Sequence, residues 1–381
     1  MAQTKTEPVA ERPANLTQFE FLALNSALNL ADGHARQHLT PGQVRIVDEL
    51  PALWAESVKS PVEEVEDAAH RAFLELLGQH GYRTLAGQVL SCYSSSVAME
   101  ILARSLVTVS DSILLLHPTF DNIPDILSGV GLRLVPLEET RLHEADLDPA
   151  VLRSVGCVFV TTPNNPTGRV LPPDRLRALA AQCAETDTVL ALDTSFRGFE
   201  PASHYDHYAI LDESGCRWVV IEDTGKLWPT LELKVGWLIS APNVGLPLAD
   251  IHSDILLGVS PLVLSMIRRF AEDAAGGGLA ELHRFIAANR RTLQEGLAGV
   301  PGVAFPYPGS RTSVELVDVG DRPALEVWSA LRQRNVFTLP CQQFHWATPV
   351  EGEHRLRLAL ARPPAAIAAG TKALRHVLLG D

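Results

Sequence analysis

Seven short apolar runs, around Val89, Leu115, Leu134, Phe159, Leu190, Val220 and Leu238, constrain this chain most. Stretches with helical spacing separate most of them, as over 174–186. Strands that alternate with helices build an α/β sheet, and here one antiparallel strand is possible. A chain of 381 residues with 46% hydrophobic content can bury a large core and form two lobes. The run Ala274-Ala275-Gly276-Gly277-Gly278 is the one glycine-rich break, and a long helix is expected after it, over about 279–299. The expected organisation is a disordered tail over 1–14, an N-terminal arm over 15–40, a large domain mainly over 41–278 and a small C-terminal domain over 279–381. Part of the N-terminal segment joins that small domain.

Open α/β sheets deliver their polar residues to one edge, where ligands bind. Three of the runs end in residues that can do chemistry. Cys157-Val158-Phe159-Val160-Thr161 leads into Thr162-Pro163-Asn164-Asn165-Pro166, and Val189-Leu190-Ala191-Leu192 ends in Asp193. Trp218-Val219-Val220-Ile221 leads through Glu222-Asp223-Thr224-Gly225 to Lys226. Asn165, Asp193 and Lys226 can therefore converge. A lone lysine after a strand is more often a solvated turn residue, but a lysine beside such partners can be held where burial or charge lowers its pKa, as a Schiff-base lysine requires.

Together with Asp193-Thr194-Ser195-Phe196-Arg197-Gly198-Phe199 and Arg357-Leu358-Ala359-Leu360-Ala361, these motifs resemble those of fold-type I aminotransferases over nearly the whole chain. The resemblance implies a large domain with a mostly parallel seven-stranded sheet, a smaller α+β domain, and pyridoxal 5′-phosphate as cofactor. It implies that Lys226 carries the cofactor, Asp193 faces its ring nitrogen, Asn165 bonds its phenolic oxygen and Phe120 stacks on its ring. A carboxylate beside the nitrogen keeps it protonated, and the protonated ring is an electron sink. Arg357 matches the arginine that takes a substrate α-carboxylate by paired hydrogen bonds, with Arg355 as an alternative in a similar flanking pattern. Ser94 and Ser95, in a serine run entering a helix, read as the phosphate site, because hydroxyls and free N–H groups at a helix N-terminus bind anions.

Departures from the family pattern are equally informative. Phe196 stands where many aminotransferases have tyrosine, and Lys234 stands where arginine usually holds the phosphate. Asp223 replaces a common phosphate-binding serine, so it is expected to turn away from the phosphate and serve another cation. The segment from Asn15 to His34, the serine run and Thr119-Phe120-Asp121-Asn122 are similar to those of the pyridoxal phosphate- and oxygen-dependent L-arginine oxidases/hydroxylases of enduracididine-type pathways. That resemblance implies an arm closing over L-arginine, with Glu20 on the guanidinium, Thr17 and Asp32 as neighbours, His34 contributing to the chemistry and Asp223 reaching in from the partner of a homodimer. It implies O2 as cosubstrate, and 4-hydroxy-2-ketoarginine, 2-ketoarginine, ammonia and hydrogen peroxide as products. A guanidinium, with five donors in a rigid fork, favours carboxylates such as Glu20 independently of any family.

The formal charge of −13 argues against nucleic acid, whose phosphates need basic patches. Asp32, His34 and His38 match no strong ligand spacing, so no metal is assigned. No apolar stretch is long enough to span a membrane and no signal-like core begins the chain, so a cytoplasmic protein is expected. Five unclustered cysteines read as free thiols. The rival readings are an arginine aminotransferase on the same scaffold and a non-catalytic ligand sensor of the same fold.

Overall fold

The computed structural model describes residues 15–84, 88–144 and 146–380. The expected tail over 1–14 lies outside the described residues. Each apolar run is a strand of one seven-stranded sheet. Across it lie Gln88–Cys92, Gly236–Ser240, Trp218–Asp223, Val189–Asp193, Cys157–Thr161, Ser112–His117 and Arg133–Glu138. Helices such as Pro173–Thr186 and His207–Ser214 return the chain for parallel pairing of the last five strands. The loop between Trp218–Asp223 and Gly236–Ser240 holds no helix, so Gly236–Ser240 runs antiparallel to both its neighbours.

Strand residues alternate between two separate apolar clusters. Val158, Val160, Leu190, Leu192 and Val220 enter one, and Cys157, Phe159, Val189, Ala191 and Val219 enter the other. This is the two-faced burial of a sheet covered by helices on both sides. With both faces filled, only the strand ends are left to form a site.

The C-terminal part builds a four-stranded antiparallel sheet, in the order Leu339–Pro340, Arg355–Ala359, Val314–Val319, Val303–Ala304. The helix Pro364–Leu379 packs against Leu279–Leu297 and Ala324–Gln333. Ala274–Gly278, the glycine-rich break, does not form a loop. It is a π-helical turn joining Pro261–Asp273 to Leu279–Leu297, with Gly277 at φ 121°, a conformation open to glycine that bends the path without ending it.

The arm begins with a helix. Asn15 caps the helix Leu16–Ala23 by accepting from the Gln18 N–H at 3.0 Å, and Leu16, Phe19 and Ala23 are buried. Asp121 accepts from the Leu16 N–H at 2.5 Å and ties the helix start to the large sheet's loops. Leu28–Asn29 then pairs in parallel with Val336–Phe337. All five cysteines are free and buried, and no helix among the described residues is long and apolar enough to cross a membrane.

Candidate active site

The sheet brings Asn165, Asp193 and Lys226 to one cavity of about 170 Å³, lined also by Phe120, Ser94, Ser95, Asp223, Lys234 and Arg357, and from the arm by Thr17, Glu20 and His34. Asp193 ends its strand next to Thr161 and Ile221 in register, which fixes its height at the sheet edge. Both hydrogen bonds to its carboxylate fall on Oδ1, from the Ser195 N–H at 3.0 Å and the Ser195 hydroxyl at 2.5 Å. Burial pushes the Asp193 pKa up to about 6, against the lowering effect of Ser195. A buried carboxylate of this kind gains most from a cationic partner such as a protonated ring nitrogen. Behind it, Glu222 accepts from the Thr194 hydroxyl at 2.7 Å and the Tyr208 hydroxyl at 2.9 Å, which braces the segment after Asp193.

At the other end of the cavity, Ser94 caps the helix Ser95–Leu106 through the Val97 N–H at 3.3 Å. Asp223 does not turn away from this cap. Its Oδ2 accepts from the Ser95 N–H at 3.2 Å and the Ser95 hydroxyl at 2.5 Å, and its Oδ1 accepts from the Gly225 N–H at 2.5 Å. The expectation fails because a helix N-terminus attracts any anion, and Asp223 is the anion this chain supplies. Burial opposes its charge, yet Lys226, Ser95, His34 and Lys234 together hold its carboxyl below the usual range. Gly236 makes the close approach possible, since an added Cβ would lie 2.5 Å from the Ser94 backbone.

The arm folds over the cavity mouth. A Cβ added at Gly33 would meet Arg357 Nη1 at 3.7 Å and Lys226 Nζ at 3.9 Å, so the Gly33 turn lies directly over both. Arg357 is buried and donates to Glu20 Oε1 at 3.2 Å, to the Ala31 carbonyl and to Asn165 Oδ1 at 3.5 Å, with its guanidinium 5.9 Å from the Phe120 ring centre. Arg355 donates instead to Asp318 at 2.9 Å, outside the cavity. The arginine that lines the site is Arg357.

Two sequence expectations change here. Asp32 does not line the cavity: its carboxylate accepts from the His34 backbone N–H at 2.9 Å and from Arg36 Nε at 2.6 Å, and lies 2.7 Å from His34 Nδ1. It is an orienting group for His34 rather than a cavity wall. Lys234 lines the cavity, but its ammonium donates to Glu232 at 2.8 Å and sits 2.8 Å from His34 Nε2. A lysine ammonium is a point charge that can be shared among several acceptors, which the planar fork of arginine does less readily.

Sequence reasoning missed Arg362, Glu232 and Gly33. Arg362 is buried and donates to the carbonyls of Asn29, Asp32 and His34, holding the arm's turn in shape, and burial pushes its pKa down to about 10. Glu232 lies in a pair of positive-φ residues with Leu231, which turns its carboxylate back toward Lys234 and Arg36. Nothing in the sequence marks either residue. A larger and more apolar cavity of about 670 Å³ lies on the far side of His34 and Lys234. The convergent acid, amine and amide groups belong to the smaller one.

The residues fit pyridoxal 5′-phosphate: a lysine at a strand-end loop, a buried carboxylate hydrogen-bonded by Ser195, an aromatic wall and a serine-capped helix N-terminus. Fold and site together define an enzyme built on the aminotransferase scaffold. Residues 63–374 match the family Aminotransferase class I and II, and the chain belongs to that family. It is similar to the solved structure of MppP soaked with the product 2-ketoarginine, at 62% identity and a TM-score of 0.90, covering 92% of this chain and 99% of that one. Among curated proteins it is similar to the valine–pyruvate aminotransferase of Mycobacterium tuberculosis, 27% identical over 70% of this chain and 68% of that one. It is also similar to the histidinol-phosphate aminotransferase of Symbiobacterium thermophilum, 25% identical over 66% and 67%. The aspartate aminotransferase of Thermus thermophilus with maleate shares the fold, at a TM-score of 0.76 and 17% identity over 99% of this chain and all of that one.

Proposed function

We propose that this protein oxidises free L-arginine with pyridoxal phosphate and O2, giving 2-ketoarginine and 4-hydroxy-2-ketoarginine with release of ammonia and hydrogen peroxide. The observation that carries this reading is the facing pair Arg357 and Glu20, 3.2 Å apart over the cavity that holds Lys226. A cation and an anion that line one cavity and hold each other until a ligand arrives match a substrate with a carboxylate for one and a guanidinium for the other. The likeness to MppP, whose solved structure was soaked with the product 2-ketoarginine, supports the same substrate class.

When bound, pyridoxal phosphate supplies an electron sink for the bond pair released at the substrate Cα. The rest of the reading concerns this chain's own side chains. Lys226 carries the cofactor and moves protons at Cα and along the side chain. Asp193 holds the proton on the ring nitrogen, Asn165 bonds the phenolic oxygen and Phe120 forms one wall. Ser94, Ser95 and Lys234 take the phosphate, with Ser95 shared between phosphate and Asp223. Arg357 takes the α-carboxylate, and Glu20, with Thr17 beside it, takes the guanidinium, so substrate entry replaces the Arg357–Glu20 contact by two new ion pairs. His34, oriented by Asp32, handles a proton toward the side-chain end.

A homodimer with shared sites is part of the proposal. Leu231 and Leu233 are exposed beside Lys234 on the loop that follows Lys226, an apolar edge suited to a second copy. Asp223 is buried and bonded to Ser95 of its own chain, so the reach into the partner's site expected from the sequence is replaced by a place in its own cavity. Sedimentation of a fully active monomer would exclude shared sites.

The substrate class is tested by comparing L-arginine with L-citrulline, which keeps the shape and loses the charge. Arginine is expected to be favoured by about ten- to a hundredfold in kcat/KM, the worth of a charge-assisted contact of roughly 1.5–3 kcal/mol. Equal use of the two would remove the guanidinium from the account.

A further inference from the structure

Two buried histidines outside the cavity have no part in the function above. His117 ends the strand Ser112–His117 and is fully buried, while His345 follows the turn Gln342–Phe344 and is 3% exposed. Their rings meet edge to face with centres 5.4 Å apart. Glu351, half exposed in the turn Pro349–Gly352, reaches the same point, and one ligand atom from each of the three lies within 4.8 Å of the others.

We propose that His117, His345 and Glu351 bind one zinc-like divalent transition-metal ion, which staples the segment 341–352 to the end of the strand Ser112–His117.

His345 gives the first support. Neither of its ring nitrogens makes a hydrogen bond, although Nδ1 lies 3.4 Å from Glu351 Oε2. A buried imidazole with both nitrogens unsatisfied is rare in folded proteins, and an ion would satisfy one of them.

His117 gives the second. Its Nδ1 lies 3.4 Å from Glu138 Oε2, the arrangement in which a metal-binding imidazole is oriented by a carboxylate on its other nitrogen. Its Nε2 is hydrogen-bonded only to the Thr348 hydroxyl, at 3.3 Å, a contact an ion would replace, with water completing the coordination.

Two neutral imidazoles and one carboxylate suit zinc and its neighbours, whereas magnesium and calcium take oxygen ligands. Bonds of about 2.0–2.1 Å in a tetrahedron set donor atoms about 3.4 Å apart, the spacing already found between His345 and Glu351. The other donors close up on binding. Half-exposed Glu351 leaves a path for the ion to enter. The role is structural: the Phe344 carbonyl accepts from the Thr119 N–H at 3.0 Å, and the Phe344 ring packs on Phe120 at 5.7 Å, so the staple braces the cavity's aromatic wall from behind. No local motif announces it, because the donors come from a strand end and from two turns far along the chain.

The test uses the full-length, untagged, cofactor-loaded protein, stripped with a chelator and titrated with Co2+ and then Zn2+. The readouts are metal content after gel filtration, the visible d–d absorption of Co2+ and the thermal midpoint. One ion per chain is expected, with tetrahedral Co2+ bands and a raised midpoint. His345→Gln and Glu351→Gln should each weaken binding by at least about tenfold. Glu351 is at the surface, so Glu351→Gln carries the test if His345→Gln does not fold. His34→Gln, which removes a donor from the separate Asp32, His34 and Glu232 cluster, should leave binding intact. Absence of a stoichiometric ion in the wild type, or an ion that survives Glu351→Gln and is lost in His34→Gln, overturns the proposal.

Discussion

Lys226→Ala is expected to lower arginine turnover by at least about a thousandfold, since loss of the proton-transferring base alone costs about 10² to 10⁴ in rate and loss of the covalent anchor adds to this. Among the residues lining the cavity the remaining amine is Lys234, and its ammonium is held by Glu232 and His34. The variant should still retain pyridoxal phosphate after dialysis, with a changed absorption spectrum, because the serine cap, Asp193 and Phe120 do not depend on Lys226. Turnover within tenfold of the wild type would remove the basis of the whole assignment.

Glu20→Gln should raise the KM for arginine by about ten- to a hundredfold, corresponding to roughly 1.5–3 kcal/mol for one charge-assisted contact, and leave the cofactor spectrum unchanged. The Arg357–Glu20 pair gives this variant a second signature. Glu20 competes with any incoming carboxylate for Arg357, so its neutralisation should leave citrulline binding unchanged or improved while arginine binding weakens. The arginine-to-citrulline preference therefore collapses from both sides. Deleting residues 1–34 should reproduce the loss for arginine, again without loss of the cofactor, since the cofactor contacts assigned here all lie after residue 90. An unchanged preference in Glu20→Gln would return Glu20 to the role of a plain partner for Arg357.

Much of this was legible in the chain. The five inner runs are strands buried at every position, as in a sheet covered on both faces, while the edge strand Arg133–Glu138 stays largely open. Asn165, Asp193 and Lys226 were readable as site residues because each follows such a run directly, and strand ends fix position. Arg355 and Arg357 could not be told apart, since a two-residue period puts both on one strand face. The cross-strand partner Asp318 decides it by taking Arg355. Asp32 and Asp223 went astray for a related reason. A carboxylate's partners are chosen by three-dimensional proximity, and Arg36, His34 and Ser95 reached them first. The glycine run misled because flexibility in sequence reads as a loop, while packing of the flanking helices kept the turn helical.

The most direct test of the central claim is an oxygen-electrode trace on purified, cofactor-loaded protein with L-arginine in air-saturated buffer and no keto acid. The account predicts sustained oxygen uptake that depends on arginine, over many turnovers, with 2-ketoarginine and its hydroxylated product detected by mass spectrometry. Absence of uptake, together with arginine-dependent amination of an added keto acid, would contradict it and make the protein an arginine aminotransferase.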